Sequence, residues 1–145
     1  RKEFDVNFFG LINVTQAMLP LLKKVSKAKI LNMSSRMGSI ALALDPKSTV
    51  YRTNAAGYQS SKAAVNMYTV QLAKELAQEP DCSITVNLID PGMVATEFGG
   101  ITPEMAKSMG ARPIEEGVAR MVALATDFDN KDNATFTNNE EIVPW

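Results

Sequence analysis

The sequence contains no histidine. That excludes histidine-based triads, histidine metal sites and imidazole pH switches together, and no metal site is expected. It contains one cysteine, Cys82, so no internal disulfide can form. A lone thiol fits a reducing compartment and a cytoplasmic location, and Cys82 reads as a buried or loop thiol at a strand entrance. No uninterrupted apolar run approaches the roughly 18 residues of a membrane span. Charge of one sign is not in excess either. Fifteen Lys and Arg against 16 Asp and Glu leave a net charge of −1, which gives no electrostatic basis for binding nucleic acid or an anionic membrane. The chain opens Arg1-Lys2-Glu3-Phe4 without methionine or a signal-peptide pattern, and reads as a piece of a longer protein. Internal repeats and low-complexity segments are absent.

What is present is an ordinary globular composition, 46% hydrophobic and 21% charged, over 145 residues, the size of one domain. Apolar residues at Phe4, Phe8, Leu11, Ile12, Met18, Leu19 and Leu22 predict a helix over 3–25, with Pro20 expected to kink it. Residues 29–34 read as a buried strand, with Ile30, Leu31 and Met33. A long connection over 36–57 follows, then a second long helix over 57–78. Its apolar residues fall on more than one side, which predicts broad burial or a shared subunit face. A strand over 83–89, a short helix over 103–108, a helix over 113–126 and a short strand over 134–137 complete the chain. Helix and strand alternate, which predicts an α/β fold with a parallel sheet. Three sequons, at Asn13, Asn32 and Asn133, are read as chance matches.

Four stretches carry chemistry. Tyr58 and Lys62 stand four apart at the start of the second long helix, one turn from each other on one face. An ammonium beside a phenol favours the phenolate, so the Tyr58 pKa is expected to fall from about 10. A phenol tuned that way serves as a general acid or base. Such a pair carries little weight alone, and its weight comes from its neighbours. Ser34 and Ser35 follow the strand at 29–34, at the end where open α/β sheets hold ligands. Two hydroxyls there could equally bond local backbone, and Ser34 is assigned that role. Asp90-Pro91-Gly92-Met93-Val94-Ala95-Thr96 runs the next strand into a turn, which Pro-Gly would explain by itself. Asn7 is a polar residue in an apolar helix, where capping or solvation would also account for it.

In this order, Asn7-x-x-Gly10, Ser35 ahead of Gly38, Tyr58-x-x-x-Lys62 and Pro91-Gly92-x-x-x-Thr96 resemble the C-terminal part of a short-chain dehydrogenase/reductase. The resemblance covers nearly the whole chain. The 23-position gap from Ser35 to Tyr58, Tyr51-Arg52 and the Pro144-Trp145 ending are similar to carbonyl reductases of the C-factor and sniffer type. Tyr51 does not rival Tyr58, because position 55 is alanine. The resemblance implies the C-terminal part of a Rossmann-type doubly wound parallel sheet, three strands plus long helices. It implies hydride transfer between NADP or NAD, with NADP favoured, and a small carbonyl or alcohol. Catalytic roles would fall to Asn7, Ser35, Tyr58 and Lys62. Cofactor contacts would come from Tyr58, Lys62, Pro91, Gly92, Val94 and Thr96. The segment after Thr96 resembles a mobile substrate lid, and the loop at 36–57 would border the pocket. A homo-oligomer would form through the helices at 3–25 and 57–78. The family's glycine-rich phosphate loop occurs nowhere in the sequence, so residues 1–145 read as a partial domain without the N-terminal dinucleotide-binding half. Two other classes stay open: a truncated, non-catalytic paralogue acting as an interaction module, and an epimerase or dehydratase of the extended family.

Overall fold

The computed structural model describes residues 1–145, and its first helical run is not uniform. Lys2–Phe4 (α1) and Gly10–Leu22 (α2) are α-helical, while Asp5–Phe9 between them is a π turn closed by the Gly10 N–H on the Asp5 carbonyl. The wider turn carries Phe8 edge-on to Tyr68 at 6.2 Å between ring centres. Single π turns inside α-helices gather at functional sites, and this one holds Asn7. Pro20, expected to kink the helix, lies in its last turn, and α2 stops at Leu22 rather than 25.

The sheet has three parallel strands in the order β1 (Lys29–Met33), β2 (Thr85–Ile89) and β3 (Phe136–Thr137). Lys29 lies opposite Thr85 through to Met33 opposite Ile89, and Leu88 lies opposite Phe136. Long helices flank it, the arrangement of a Rossmann-type α/β fold, as the alternation of elements predicts. The central strand is the most buried, through Val86, Leu88 and Ile89. Its polar residue Asn87 is fully engaged: the amide oxygen accepts from the Thr135 N–H and hydroxyl, and the amide nitrogen donates to the Asp132 carbonyl. β1 departs from the buried strand expected at 29–34. Only Asn32 in it is buried, donating to the Thr69 hydroxyl at 2.8 Å. The cause is position, because β1 is the sheet edge and lies along an open apolar groove of about 540 Å³ lined by Val6, Leu11, Val14, Met18, Ile30 and Met33.

The second long helix, Ala56–Gln78, is here α4, after the short α3 (Ile40–Leu44). It buries one stripe, Ser61, Val65, Thr69, Leu72 and Leu76, with Asn66 and Ala73 beside it. That is narrower than broad burial, because the apolar residues on its other flank, such as Met67, face outward. The backbone N–H of Ala55, just before the helix, donates to the Gln59 side chain at 3.0 Å, which satisfies one donor at the start of the helix. The Glu3 carboxylate packs against Gly57, at the end of α4 where the helix dipole favours negative charge.

The connection at 36–57 is ordered. It contains a 3₁₀ turn at Arg36–Gly38, α3 capped by the Ser39 hydroxyl, and a second turn at Val50–Arg52. The chain terminus holds it from the far side: the Ala41 N–H donates to the Trp145 carbonyl at 2.9 Å. Beyond β2, a turn at Phe98–Gly100 leads to α5 (Pro103–Ser108), capped by the Thr102 hydroxyl, and α6 (Ile114–Thr126). No helix is long and apolar enough to cross a membrane.

Candidate active site

Parallel pairing of β1 and β2 sets Ser35 and the Pro91-Gly92 turn just beyond the C-terminal ends of neighbouring strands. α4 approaches from one side at the 3₁₀ turn. A Cβ at Gly38 would lie 2.7 Å from the Lys62 backbone carbon, so this close approach requires glycine. Ser35, Tyr58 and Lys62 are thereby gathered at one end of the sheet. The Lys62 Nζ stands 5.9 Å from the centre of the Tyr58 ring and donates to the Met33 carbonyl at 3.0 Å. That carbonyl belongs to the last residue of β1, so the lysine joins α4 to the strand end.

The phenol does not behave as the sequence predicts. Its pKa stands above the ordinary value near 10 rather than below. Burial is the largest cause, since desolvation penalises the phenolate; the Ser35 side chain pulls the other way, and the Asp90 carboxylate pushes further up. The neighbouring ammonium does not offset this, and burial lowers the pKa of Lys62 itself. Tyr58 is accordingly a protonated phenol across the neutral range.

The two serines also differ from expectation. The hydroxyl assigned to local backbone, that of Ser34, donates instead to the Asn66 side chain on α4. It is Ser35 that caps its own turn, accepting from the Met37 N–H at 3.2 Å. Its oxygen is used there and its hydrogen remains to donate. Asn7 donates to the Ser61 hydroxyl at 3.0 Å, and Ser61 donates to the Tyr58 carbonyl at 2.7 Å. The π turn is therefore linked to the helix that carries the phenol.

On the β2 side, Gly92 has a φ of 71°, which a side chain rarely tolerates. Arg112 lies against it, 3.4 Å from where a Cβ would stand, and is paired with Glu140. Val94 bridges to Arg112 through backbone and packs on Gly117 of α6. The Thr96 hydroxyl accepts from the Phe98 N–H at 3.3 Å, and the Phe98 ring is tilted against Tyr58 at 5.6 Å. Four expected positions, Pro91, Gly92, Val94 and Thr96, thus lie on the loop that follows β2, whose Phe98 reaches the Tyr58 ring. No group of three or more acidic or thiol side chains could hold a metal.

The motifs leave out Arg36 and Asp90. The Arg36 Nε donates to the Asp90 Oδ2 at 2.8 Å, and the Asp90 side chain is 1% exposed. Breaking a buried ion pair costs about 3–5 kcal/mol when a buried charge is left behind. Arg36 is more than a third exposed and can turn to water, so losing Asp90 should cost less than losing Arg36. An aspartate directly ahead of Pro91-Gly92, with an arginine directly after Ser35, is the signal the sequence offered.

The family model for short chain dehydrogenases matches residues 1–107. The C-signal protein of Myxococcus xanthus is 36% identical over 145 residues, covering 99% of this chain and 77% of its own. Among solved structures, an NADPH-bound carbonyl reductase from chicken fatty liver is 26% identical with a TM-score of 0.76, covering 99% of this chain and 57% of that one. The carbonyl reductase Sniffer of D. melanogaster is 27% identical with a TM-score of 0.73, over 98% and 55% of the two chains. The chain spans about half the length of other curated relatives that it matches.

Proposed function

Since the chain belongs to the short-chain dehydrogenase family, we propose that it carries the chemical half of an NAD(P)-dependent oxidoreductase that interconverts a carbonyl and an alcohol. The observation behind this reading is the meeting of Ser35, Tyr58 and Lys62 beyond the ends of two adjacent parallel strands. The bound nicotinamide supplies or takes up the hydride. Tyr58, protonated through the neutral range, gives its proton to the carbonyl oxygen during reduction. Ser35, with its oxygen engaged by Met37, donates its own hydrogen to that same oxygen. Lys62 would bond the nicotinamide ribose, and Asn7 would hold the water that relays protons to solvent.

The residues present fit the nicotinamide end of the cofactor. Gly92, at a φ of 71°, lets the turn form without a side chain, and main chain at Val94 with the Thr96 hydroxyl would meet the carboxamide. They do not supply a pyrophosphate cradle, because the family's Thr-Gly-x-x-x-Gly-x-Gly loop occurs nowhere in the sequence. Residues 1–145 are, in this reading, the C-terminal part of a Rossmann-type domain. NADP is favoured over NAD by likeness to the NADPH-bound carbonyl reductase. Substrate is a small carbonyl or alcohol, bordered by the loop at 36–57, and the setting is cytoplasmic.

The direction of the Tyr58 shift gives a sign. An acid with a raised pKa keeps reduction flat through neutral pH, with loss only as pH rises through the phenol's value. Lys62→Met, in the longer protein that contains this chain, should weaken nicotinamide binding and leave that alkaline limb nearly in place, because the buried Lys62 loses its charge as pH rises towards the raised phenol value. Affinity is read by cofactor fluorescence and the limb from the pH–rate profile. A limb that moves well upward would show that the lysine is still charged there and tunes the phenol.

A further inference from the structure

The ends of β1 and β2 are joined by a charge pair that the proposed chemistry does not use. The Asp90 carboxylate takes the Arg36 Nε–H on one oxygen at 2.8 Å and the Gly92 N–H on the other at 3.1 Å. The Asp90 N–H donates in turn to the Thr137 carbonyl of β3 at 2.9 Å. Arg36 directly follows Ser35, and its turn is pressed against α4 at Lys62. One buried carboxylate therefore holds the loop that bears Ser35 to the turn that bears Gly92, and fixes both to the sheet.

Resting on the reading of Tyr58 as proton donor, we propose that Arg36 and Asp90 form a positioning pair that fixes Ser35 and Pro91-Gly92 against each other and sets the charge facing the Tyr58 hydroxyl. The two members act with opposite sign. A carboxylate near a phenol disfavours phenolate and a guanidinium favours it. The Asp90 charge does reach Tyr58, adding to the effect of burial. Other charged groups stand on the elements around the same phenol. Lys62 lies one turn on along α4, Glu3 of α1 packs at Gly57, Glu97 precedes Phe98, and Arg112 lies against Gly92 with Glu140 as its partner. All of these stay in place when only Arg36 or Asp90 is changed.

The test is a titration of tyrosine Cζ carbons by NMR on the longer protein that contains this chain, without cofactor or substrate, with Tyr58 assigned by its loss in Tyr58→Phe. Asp90→Asn leaves an unpaired guanidinium and should move the Tyr58 midpoint down. Arg36→Met leaves an unpaired carboxylate, ionised at the alkaline pH where phenols titrate, and should move it up. The double variant should return it towards the parent, while Tyr68 keeps its midpoint throughout. Two single variants that shift Tyr58 the same way, or that lower thermal stability with the midpoint unmoved, would overturn the proposal. Should Arg36→Met fail to fold, Asp90→Asn decides alone, and a midpoint that does not fall overturns it. The readout is ionisation of one side chain and not turnover. Failure here leaves Tyr58 as proton donor untouched, and a Tyr58 that proves not to be the donor leaves the measured shifts standing.

Discussion

A Tyr58→Phe variant of the longer protein is expected to lose about 10²–10⁴-fold in carbonyl reduction, the usual worth of a positioned general acid, and to bind nicotinamide cofactor nearly as tightly as the parent. The substitution isolates the hydroxyl. Tyr58 is half-buried, with its ring tilted against Phe98 at 5.6 Å, and a phenylalanine ring keeps that packing. Ser35 stays at its turn, held by the Met37 N–H, and Lys62 stays on the Met33 carbonyl. What disappears is the phenolic hydroxyl, protonated at neutral pH and able to release its proton to an alkoxide. Steady-state rates with saturating cofactor measure the loss. A variant within roughly threefold of the parent would remove Tyr58 from the chemistry.

The 145 residues by themselves are expected to elute as dimers or larger species and to show no NAD(P)H-dependent turnover. Along β1, alternate backbone groups point away from β2. Nothing guards that edge: the strand has no proline, and Lys29 is drawn aside, its Nζ donating to the carbonyls of Asp127 and Asn130. A bare edge of this kind is a template for pairing with another chain. The helix beside it adds apolar surface, with Val6 66% and Val14 65% exposed. Without the family's Thr-Gly-x-x-x-Gly-x-Gly loop and the helix it opens, a pyrophosphate lacks its usual seat. Size-exclusion chromatography with light scattering, followed by a cofactor titration, checks both halves of the expectation. A monomer that binds NADPH at micromolar affinity would contradict them.

Much of this arrangement is legible in the residues. The 3.6-residue rhythm of α4 and the four-residue step from Tyr58 to Lys62 put two side chains on one face before any packing is known. The alternation of elements predicts parallel pairing, and parallel pairing brings Ser35 beside Pro91-Gly92. Where reading fails, the deciding term is tertiary. The π turn at Asp5–Phe9 has no sequence mark, because it depends on where Phe8 and Asn7 must land on α4. Whether Ser34 or Ser35 bonds local backbone depends on Asn66, 32 residues away. The direction of the Tyr58 shift fails for the same reason: helical spacing supplies the ammonium, but burial and Asp90 come from elsewhere in the fold and outweigh it. Burial of β1 is misread because its apolar content is that of an inner strand, and it stands here at the edge.

The most direct measurement follows a label. The longer protein is given a ketone and NADPH carrying deuterium at the transferable C4 position, and the alcohol is examined by mass spectrometry and NMR. Deuterium is expected on the carbinol carbon of the product with the parent enzyme, and none above background with Tyr58→Phe over the same time. Deuterium retained in the dinucleotide by the parent, or delivered undiminished by the variant, would contradict a hydride-transfer site built on Ser35, Tyr58 and Lys62.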